Sequence, residues 1–451
     1  MKDAGRRALG AGGGGGPAPS DQGPASNLPL AVTAITAAAQ LGGTERVLRD
    51  FANRAFEFDV ALRVLTPTDG PLVGILNEIG VPCEVVPAPS SILQASQRGV
   101  NIWRLPFSVM GLRAWGIELG KHPFVRDADV IYTQGFKAHL AAAVSGKRPV
   151  VWHLHEFPPS VTGWFWKALM RSRADAVITN SGAVGETWAL GAGRPTPTAT
   201  SAQRPAPQQY VVPNGVDLDR FTVRPPTKWI HRRLGVPEHH RLVGMPAVFA
   251  RWKGQLEVME AFRMIADEFP EVHLVLVGGS IYDTVAERKY GRDLDRALVT
   301  GRWALEGAGG QRPAPSARRP RIHILPFQPK IELVYPEFDL VIHYSTRPEP
   351  FGRVIVEAMA CGVPVIASDE GGPAEILGGG IGHGASGVGG WLVEPRAPAK
   401  LAETLRDALR LPAERLDAIG AAGRRRAEDQ YSARRFAREV SDVLKALRRE
   451  T

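Results

Sequence analysis

Residues 345–375 read STRPEPFGRVIVEAMACGVPVIASDEGGPAE. Pro350 disfavours a helical conformation at Glu349, so this carboxylate is expected in a loop. Gly352 lets the backbone turn, the run Arg353 to Cys361 reads as a helix, and Gly362 caps its end. Val363 to Ser368 then reads as a short, buried, β-branched strand. A helix entered through Phe351 and Gly352 offers unpaired N–H groups and the positive end of its dipole, a seat for a phosphate. Glu357 falls about one turn into that helix and Glu349 just before its mouth. Taken singly, either glutamate fits an ordinary capping role, since a carboxylate near a helix start stabilises it by roughly 0.3–1 kcal/mol.

Working outward, the same loop–helix–strand alternation recurs. Downstream of residue 240, Leu242 to Phe249 reads as a strand, followed by Ala250 to Gln255, a helix through Phe269 and a strand at Val272 to Val277. Ile322 to Pro326 and Asp339 to His343 read as strands around a short helix. Upstream, strands are expected at Leu30 to Ala39, Asp59 to Leu65, Cys83 to Val86, Val130 to Thr133, Val150 to Leu154 and Ala174 to Asn180. Helices are expected after Gly42 and Gly43, over Leu72 to Ile79 and over Phe136 to Val144, and Ser181 is placed as the cap of a further one. Strand, paired glycines, then helix is a layout that brings backbone N–H groups against a phosphate, although such glycines also serve plain turns. Alternating strands and helices imply parallel, doubly wound sheets whose ligands gather at the carboxyl ends of the strands. His155 lies at one such end. His153 is read as pointing to the opposite side and is set aside.

A chain of 451 residues exceeds one core and implies two domains. An apolar content of 44% is ordinary for a soluble globular protein, and no apolar run nears the roughly 20 residues of a membrane span. Residues 1–27 lack an apolar core of the secretory kind and read as a disordered tail. Cys83 and Cys361 show no metal-like spacing, which points to a reduced, cytoplasmic compartment. The net charge of +9 is concentrated: residues 302–321 and 421–451 together carry +8 of it. A solvated basic face explains that, and a peripheral contact with an anionic membrane is the sharper reading. Aromatic residues are not interleaved with the basic clusters, so nucleic acid is not expected as a partner. Proline-rich residues 191–209 read as a flexible insertion, and residues 304–320 as a low-complexity loop. Residues 157–173 gather Phe157, Trp164, Phe165 and Trp166 with Lys167, Arg171 and Arg173, read as the cover of a hydrophobic cleft or an interfacial helix.

The stretch EPFGRVIVEAMACG, with seven residues between Glu349 and Glu357, closely resembles the donor-binding signature of retaining GT-B fold glycosyltransferases of family 4. Gly42-Gly43-Thr44-Glu45-Arg46 resembles the glycine loop after that family's first strand. Trp252-Lys253-Gly254-Gln255 resembles its basic loop, and Val212 to Asp217 the close of its first domain. The resemblance implies two Rossmann-like domains facing each other across a cleft: an acceptor-side domain over 28–220, a nucleotide-sugar-binding domain over 221–430, and a helix over 431–451 crossing back to the first.

It also implies roles. Glu349 would position the donor sugar and Glu357 the ribose, while Phe351, Gly352, Gly42 and Gly43 would lie against the nucleotide-sugar. His155 would reach the sugar or reacting centre. Lys253 would hold the diphosphate with an arginine. The family's usual place for that arginine is occupied here by Val248, so Arg251 is the substitute. The implied reaction is retaining sugar transfer from a UDP- or GDP-linked donor to a hydroxyl of a glycan or lipid-linked acceptor, in cell-envelope or polysaccharide biosynthesis. Three Asp-x-Asp triplets (Asp127/Asp129, Asp217/Asp219, Asp293/Asp295) lie away from strand carboxyl ends, and no metal or other cofactor is expected. The alternatives are a GT-B sugar-nucleotide epimerase or phosphorylase, and a catalytically silent nucleotide-sugar-binding paralogue. A nicotinamide enzyme is disfavoured because no Gly-x-Gly-x-x-Gly follows a first strand.

Overall fold

The computed structural model describes residues 28–93, 105–188, 206–279, 284–300, 321–378 and 386–449. The first domain is a seven-stranded sheet of β1 (Leu30–Thr36), β2 (Val60–Thr66), β3 (Cys83–Val85), β4 (Val130–Gln134), β5 (Val150–Leu154), β6 (Ala176–Thr179) and β7 (Gln208–Val211). The order is β3-β2-β1-β4-β5-β6-β7, with every pair parallel. Its helices are α1 (Gly43–Ala52), α2 (Pro71–Glu78), α3 (Ser90–Leu93), α4 (Leu105–Lys121), α5 (Pro123–Arg126), α6 (Phe136–Ser145), α7 (Gly163–Arg173) and α8 (Gly182–Trp188). Strands covered by helices on both faces read as continuous apolar runs, which is why β4 and β5 were legible. Successive side chains serve opposite cores: Val130 and Tyr132 join the cluster of α1 and α2, while Ile131 joins that of α4, α6 and α7.

The second domain repeats the plan with β8 (Arg241–Pro246), β9 (Val272–Gly278), β10 (Ile322–Pro326), β11 (Leu340–His343), β12 (Val365–Ser368), β13 (Ser386–Gly387) and β14 (Gly390–Val393). The order is β10-β9-β8-β11-β12-β14-β13, parallel except for the β13–β14 pair. Its helices are α9 (Trp229–Leu234), α10 (Gln255–Ile265), α11 (Val285–Thr300), α12 (Arg353–Ala360), α13 (Gly372–Leu377), α14 (Pro398–Arg410) and α15 (Ala413–Gln430). The order reverses between β1 and β4 in one sheet and between β8 and β11 in the other. Ligands of such sheets bind at these switch points, beyond the strand carboxyl ends.

The last helix, α16 (Ala433–Arg449), returns to the first domain as expected. Phe436, Ala437, Val440, Val443, Leu444 and Leu447 complete the core that holds Phe51 and Tyr132. The two crossings between domains are laced together, Val216 N donating to Tyr431 O and Ala433 N to Val216 O, each at 2.8 Å. Gly215 permits this, since a Cβ there would stand 2.7 Å from the Ala433 Cα. Part of the basic surplus of α16 is engaged on the first domain: Arg434 pairs with Glu57 at 2.9 Å and Lys445 with Asp59 at 3.4 Å.

Some expectations shift. β1 stops at Thr36 rather than Ala39. The expected insertion at 191–209 ends too late, because Gln208 and Gln209 begin β7; both are exposed on a sheet edge, so the strand lacks the apolar pattern that marks its neighbours. The rest of that insertion up to residue 205, the tail 1–27 and the loop 304–320 lie outside the described residues. α4, α15 and β14 were not foreseen. α15 contains Gly420, whose Cβ would fall 1.9 Å from the Gly362 carbonyl oxygen, so close packing on the loop after α12 demands a residue that disfavours helix by about 1 kcal/mol.

Because Phe436 is fully buried against Phe51, Phe436→Ala should cost ~3–5 kcal/mol although it lies near the chain end. Urea unfolding of wild type and variant measures this; a loss below about 1 kcal/mol would mean α16 is merely appended.

Candidate functional site

The loops after β8 and β11, the two strands at the second switch point, are zipped together. Thr346 N donates to Trp252 O at 2.8 Å. Gly254, at φ +76, passes so close to Tyr344 that a Cβ would stand 2.2 Å from its carbonyl oxygen. That approach brings Lys253 Nζ to Glu349 Oε2 at 2.7 Å, both side chains nearly buried. Ser345 Oγ donates to the same carboxylate oxygen at 2.6 Å, and His343 Nε2 stands 3.5 Å away. Burial alone would raise the Glu349 carboxyl, but Lys253 and His343 outweigh it and hold it well below the usual range. Lys253 also lies 4.1 Å from the centre of the Trp252 ring. The main chain of Glu349 is fixed by Gly372 N, which donates to its carbonyl at 2.8 Å. The loop expected for Glu349 is thus present, and it is pinned.

Glu357 lies one turn into α12, as expected, with both carboxylate oxygens engaged. Oε1 accepts from Arg353 Nε and Oε2 from the Tyr335 hydroxyl, each at 2.7 Å. It lines a cavity of about 110 Å³ between the domains with Pro246, Val248, Gly278, Phe327 and, from the first domain, Arg46. Arg353 reaches across the domain boundary: Nη2 donates to Asp50 Oδ2 at 2.5 Å and Nη1 to Gly215 O at 3.2 Å. Burial would raise the Asp50 carboxyl, but Arg353 and Arg49 together keep it below the ordinary value. Gly352, at φ +97, enters α12 in a left-handed conformation. Phe351 behind it is buried in the second domain's core, edge-on to Tyr431, so it shapes the helix mouth from within.

The first domain docks on the same motif. Ser181 caps α8, accepting from Val184 N at 3.1 Å, and donates to Pro350 O at 2.6 Å. Glu375 accepts from the N–H groups of Gly182 and Ala183 at 2.9 and 2.6 Å. Gly42 caps α1, and Gly43 has nothing within 4 Å of where a Cβ would lie, so the backbone there is open to a ligand. Glu45 folds back over its own amide and that of Gly42, and burial pushes its carboxyl up to about 7.

His155 lines a small pocket with Thr44, Gly135, Phe136 and His139 at the carboxyl ends of β4 and β5. His153 corrects the sequence reading: residues two apart on a strand share a face, and the rings of His153 and His155 are 3.9 Å apart. The Tyr132 hydroxyl, which accepts from Gln134 at 2.9 Å, shares a hydrogen bond with His153 Nδ1. His139 stacks on Trp152 and bonds to Thr133.

Arg251 is not brought to the Lys253–Glu349 pair. In the short 3₁₀ turn Arg251–Lys253 side chains two apart diverge, and Arg251 Nη1 donates to Glu257 at 2.6 Å instead. Sequence reasoning also missed His343, Ser345, Tyr335, Arg46 and the Asp50–Arg353 bridge. The four-residue spacing of Arg353 and Glu357 was a usable signal; nothing in the sequence pointed to Asp50. Of the Asp-x-Asp residues, Asp129 accepts from Ala31 N at 2.9 Å, Asp219 pairs with Arg54 and Asp293 with Arg296. Among the described residues no group of His, Cys, Asp and Glu is arranged to hold a metal, and no helix is long and apolar enough to cross a membrane.

Two family profiles match the chain, Glycosyltransferase Family 4 over residues 41–220 and Glycosyl transferases group 1 over residues 318–426. A D-inositol 3-phosphate glycosyltransferase of Corynebacterium jeikeium is 32% identical over 202 residues, 43% of this chain and 42% of that protein. A GDP-mannose-dependent monoacylated alpha-(1-6)-phosphatidylinositol monomannoside mannosyltransferase of Corynebacterium glutamicum is 26% identical over 242 residues, 52% of this chain and 55% of that protein. The chain spans about half the length of the curated relatives it matches. Among solved structures, Anabaena HepE in complex with UDP and glucose superimposes with a TM-score of 0.70 at 26% identity, covering 93% of this chain and 100% of that one. Sucrose-phosphate synthase of Thermosynechococcus elongatus shares the fold at 19% identity and a TM-score of 0.67, with 93% and 100% covered.

Burial pushes His139 and His155 down to about 3 from an ordinary 6.5, so both are neutral in the folded chain while their unfolded counterparts take protons below about 6.5. Stability should therefore be intact above that pH and fall as pH drops, by up to about 1.4 kcal/mol per pH unit for each ring. Unfolding free energies at about pH 7 and about pH 5.5 measure it, and His139→Gln should flatten the slope. An unchanged slope would mean His139 takes up its proton in the folded state.

Proposed function

The chain belongs to family 4 of the GT-B glycosyltransferases, and from that premise we propose that it moves a sugar from a nucleotide-diphosphate sugar to a hydroxyl of a glycan or lipid-linked acceptor. The observation that carries this is the buried Lys253–Glu349 pair at a switch point whose strand ends also wall the cavity of Glu357. A UDP- or GDP-linked donor is supported by neighbours: HepE was solved with UDP and glucose, and the Corynebacterium glutamicum relative is named for GDP-mannose. The diphosphate would meet Lys253 and the amides opening α12, Glu357 the ribose, and Glu349 the sugar. Those groups would neutralise the leaving charge without a metal.

The transfer we propose retains configuration. The bond from the anomeric carbon to the β-phosphate oxygen breaks as the acceptor oxygen bonds to the same face of that carbon. The acceptor's proton passes to the departing phosphate oxygen, and the nucleoside diphosphate leaves with it. His155, at the mouth of the first domain's sheet, would contact the sugar from the opposite wall.

A lipid-linked acceptor fits one surface. Val161 and Trp164 are 82% and 75% exposed and Phe165 46%, on a stretch from 160 to 173 that carries Lys167, Arg171 and Arg173 and no acidic residue. α7 runs antiparallel to its strands, so its amino end stands at the cleft rim. An apolar edge backed by cations suits the cytoplasmic face of an anionic bilayer.

Two tests follow. Glu349→Ala or Lys253→Ala should lower turnover by roughly 10²–10³ while a UDP- or GDP-sugar raises the melting temperature of the wild type. Full turnover in both variants would remove this mechanism. In flotation assays the chain should rise with vesicles containing phosphatidylglycerol, and Trp164→Ser with Phe165→Ser should abolish it; equal flotation of both proteins would acquit this rim.

A further inference from the structure

Arg46 stands in the first turn of α1, in the first domain, yet its side chain lines the cavity built from Pro246, Val248, Gly278, Tyr335 and Glu357 of the second. Its backbone N–H closes the helix by donating to Gly42 O at 3.2 Å. Its guanidinium has no hydrogen-bond or ion-pair partner among the described residues. The other cations of the site are all matched: Lys253 by Glu349, Arg353 by Asp50 and Glu357, and Arg251 by Glu257. A half-buried guanidinium without a counter-charge is unfavourable, and at a helix amino end it also opposes the dipole. Such a group is stabilised by an anion that the protein does not itself provide.

The register of α1 explains how it comes to face that cavity. Arg46 and Asp50 are one turn apart on the same helix face. Asp50 is gripped by Arg353, which directly precedes Val354 and lies one turn before Glu357, two further residues of the cavity wall. The contact that docks α1 on α12 therefore carries Arg46 over the mouth of α12. The same cavity is lined by Val248, at the place where the sequence resemblance looks for an arginine, and Arg251 is turned to Glu257.

We propose that Arg46 supplies, from the first domain, the second positive charge for the donor's diphosphate, in place of the arginine replaced by Val248. The inference rests on the nucleotide-sugar reading above. Its consequence is that the diphosphate is bound by both domains at once, Lys253 from below and Arg46 from above.

The test is calorimetric binding of UDP and GDP, and of uridine and guanosine, to wild type, Arg46→Ala and Arg46→Lys. Loss of a charge-assisted contact should weaken the preferred diphosphate by ~10- to 100-fold in Arg46→Ala, leave the matching nucleoside unchanged, and be partly recovered in Arg46→Lys. Unchanged diphosphate affinity, or an equal loss for nucleoside and diphosphate, would overturn the inference while leaving the donor reading intact. A folded wild type that binds neither diphosphate would overturn the donor reading, and this inference with it.

Discussion

A chain of buried charges, Asp50–Arg353–Glu357, spans the two domains and sets how they meet. Charges taken from water are tolerated only when paired and hydrogen-bonded, and removing one partner typically costs ~3–5 kcal/mol. Here Arg353 distributes its donors over both carboxylates and the Gly215 carbonyl of the interdomain crossing. The helix after the first strand, α1, is thereby held against α12. Glu357 serves two ends at once: it anchors this network and walls the interdomain cavity, with lone pairs left for further donors.

Sheet topology supplies the rest of the constraint. In each domain the strand order reverses beside the first strand, which leaves a crevice at the strand carboxyl ends there. In the second domain those loops carry Lys253 and Glu349, which meet as a neutral pair under a close glycine contact. An anion entering there would compete with Glu349 for Lys253, and a hydroxyl would compete with Lys253 for Glu349. Pairing of this kind holds both side chains in place in a buried setting. The first domain is already joined to the second here, Ser181 donating to the Pro350 carbonyl of that loop and the Gly182 and Ala183 amides donating to Glu375 of α13.

The basic surplus divides into distinct uses. On α16, Arg434 and Lys445 face acidic residues of the first domain, where they help fasten a helix that completes a core not its own. Arg424 in α15 donates to the carbonyls of Phe221 and Ala360 and thus secures the end of α12. The cations of α7 are different: they accompany exposed aromatic side chains on a stretch, 160–173, that carries no acidic residue. Overall charge was therefore a poor guide to any partner, while its local setting was informative.

Much of the architecture was legible because it is local. Apolar runs marked β4, β5, β9 and β12, glycines marked the turns before α1 and α12, and the wording around Glu349 and Glu357 marked the cleft. The sequence by itself determined the order of strands and helices, hence two parallel sheets with ligand ends, and the one-turn spacing that pairs Arg353 with Glu357. Only the tertiary structure decided which charges meet: Lys253 with Glu349 across 96 residues, Asp50 with Arg353 across 303, Arg251 with Glu257 instead of the cleft, and Arg46 with no protein partner among the described residues. Periodicity and turn chemistry act over a few residues, whereas Coulomb attraction depends on separations in space that the chain's spacing does not record.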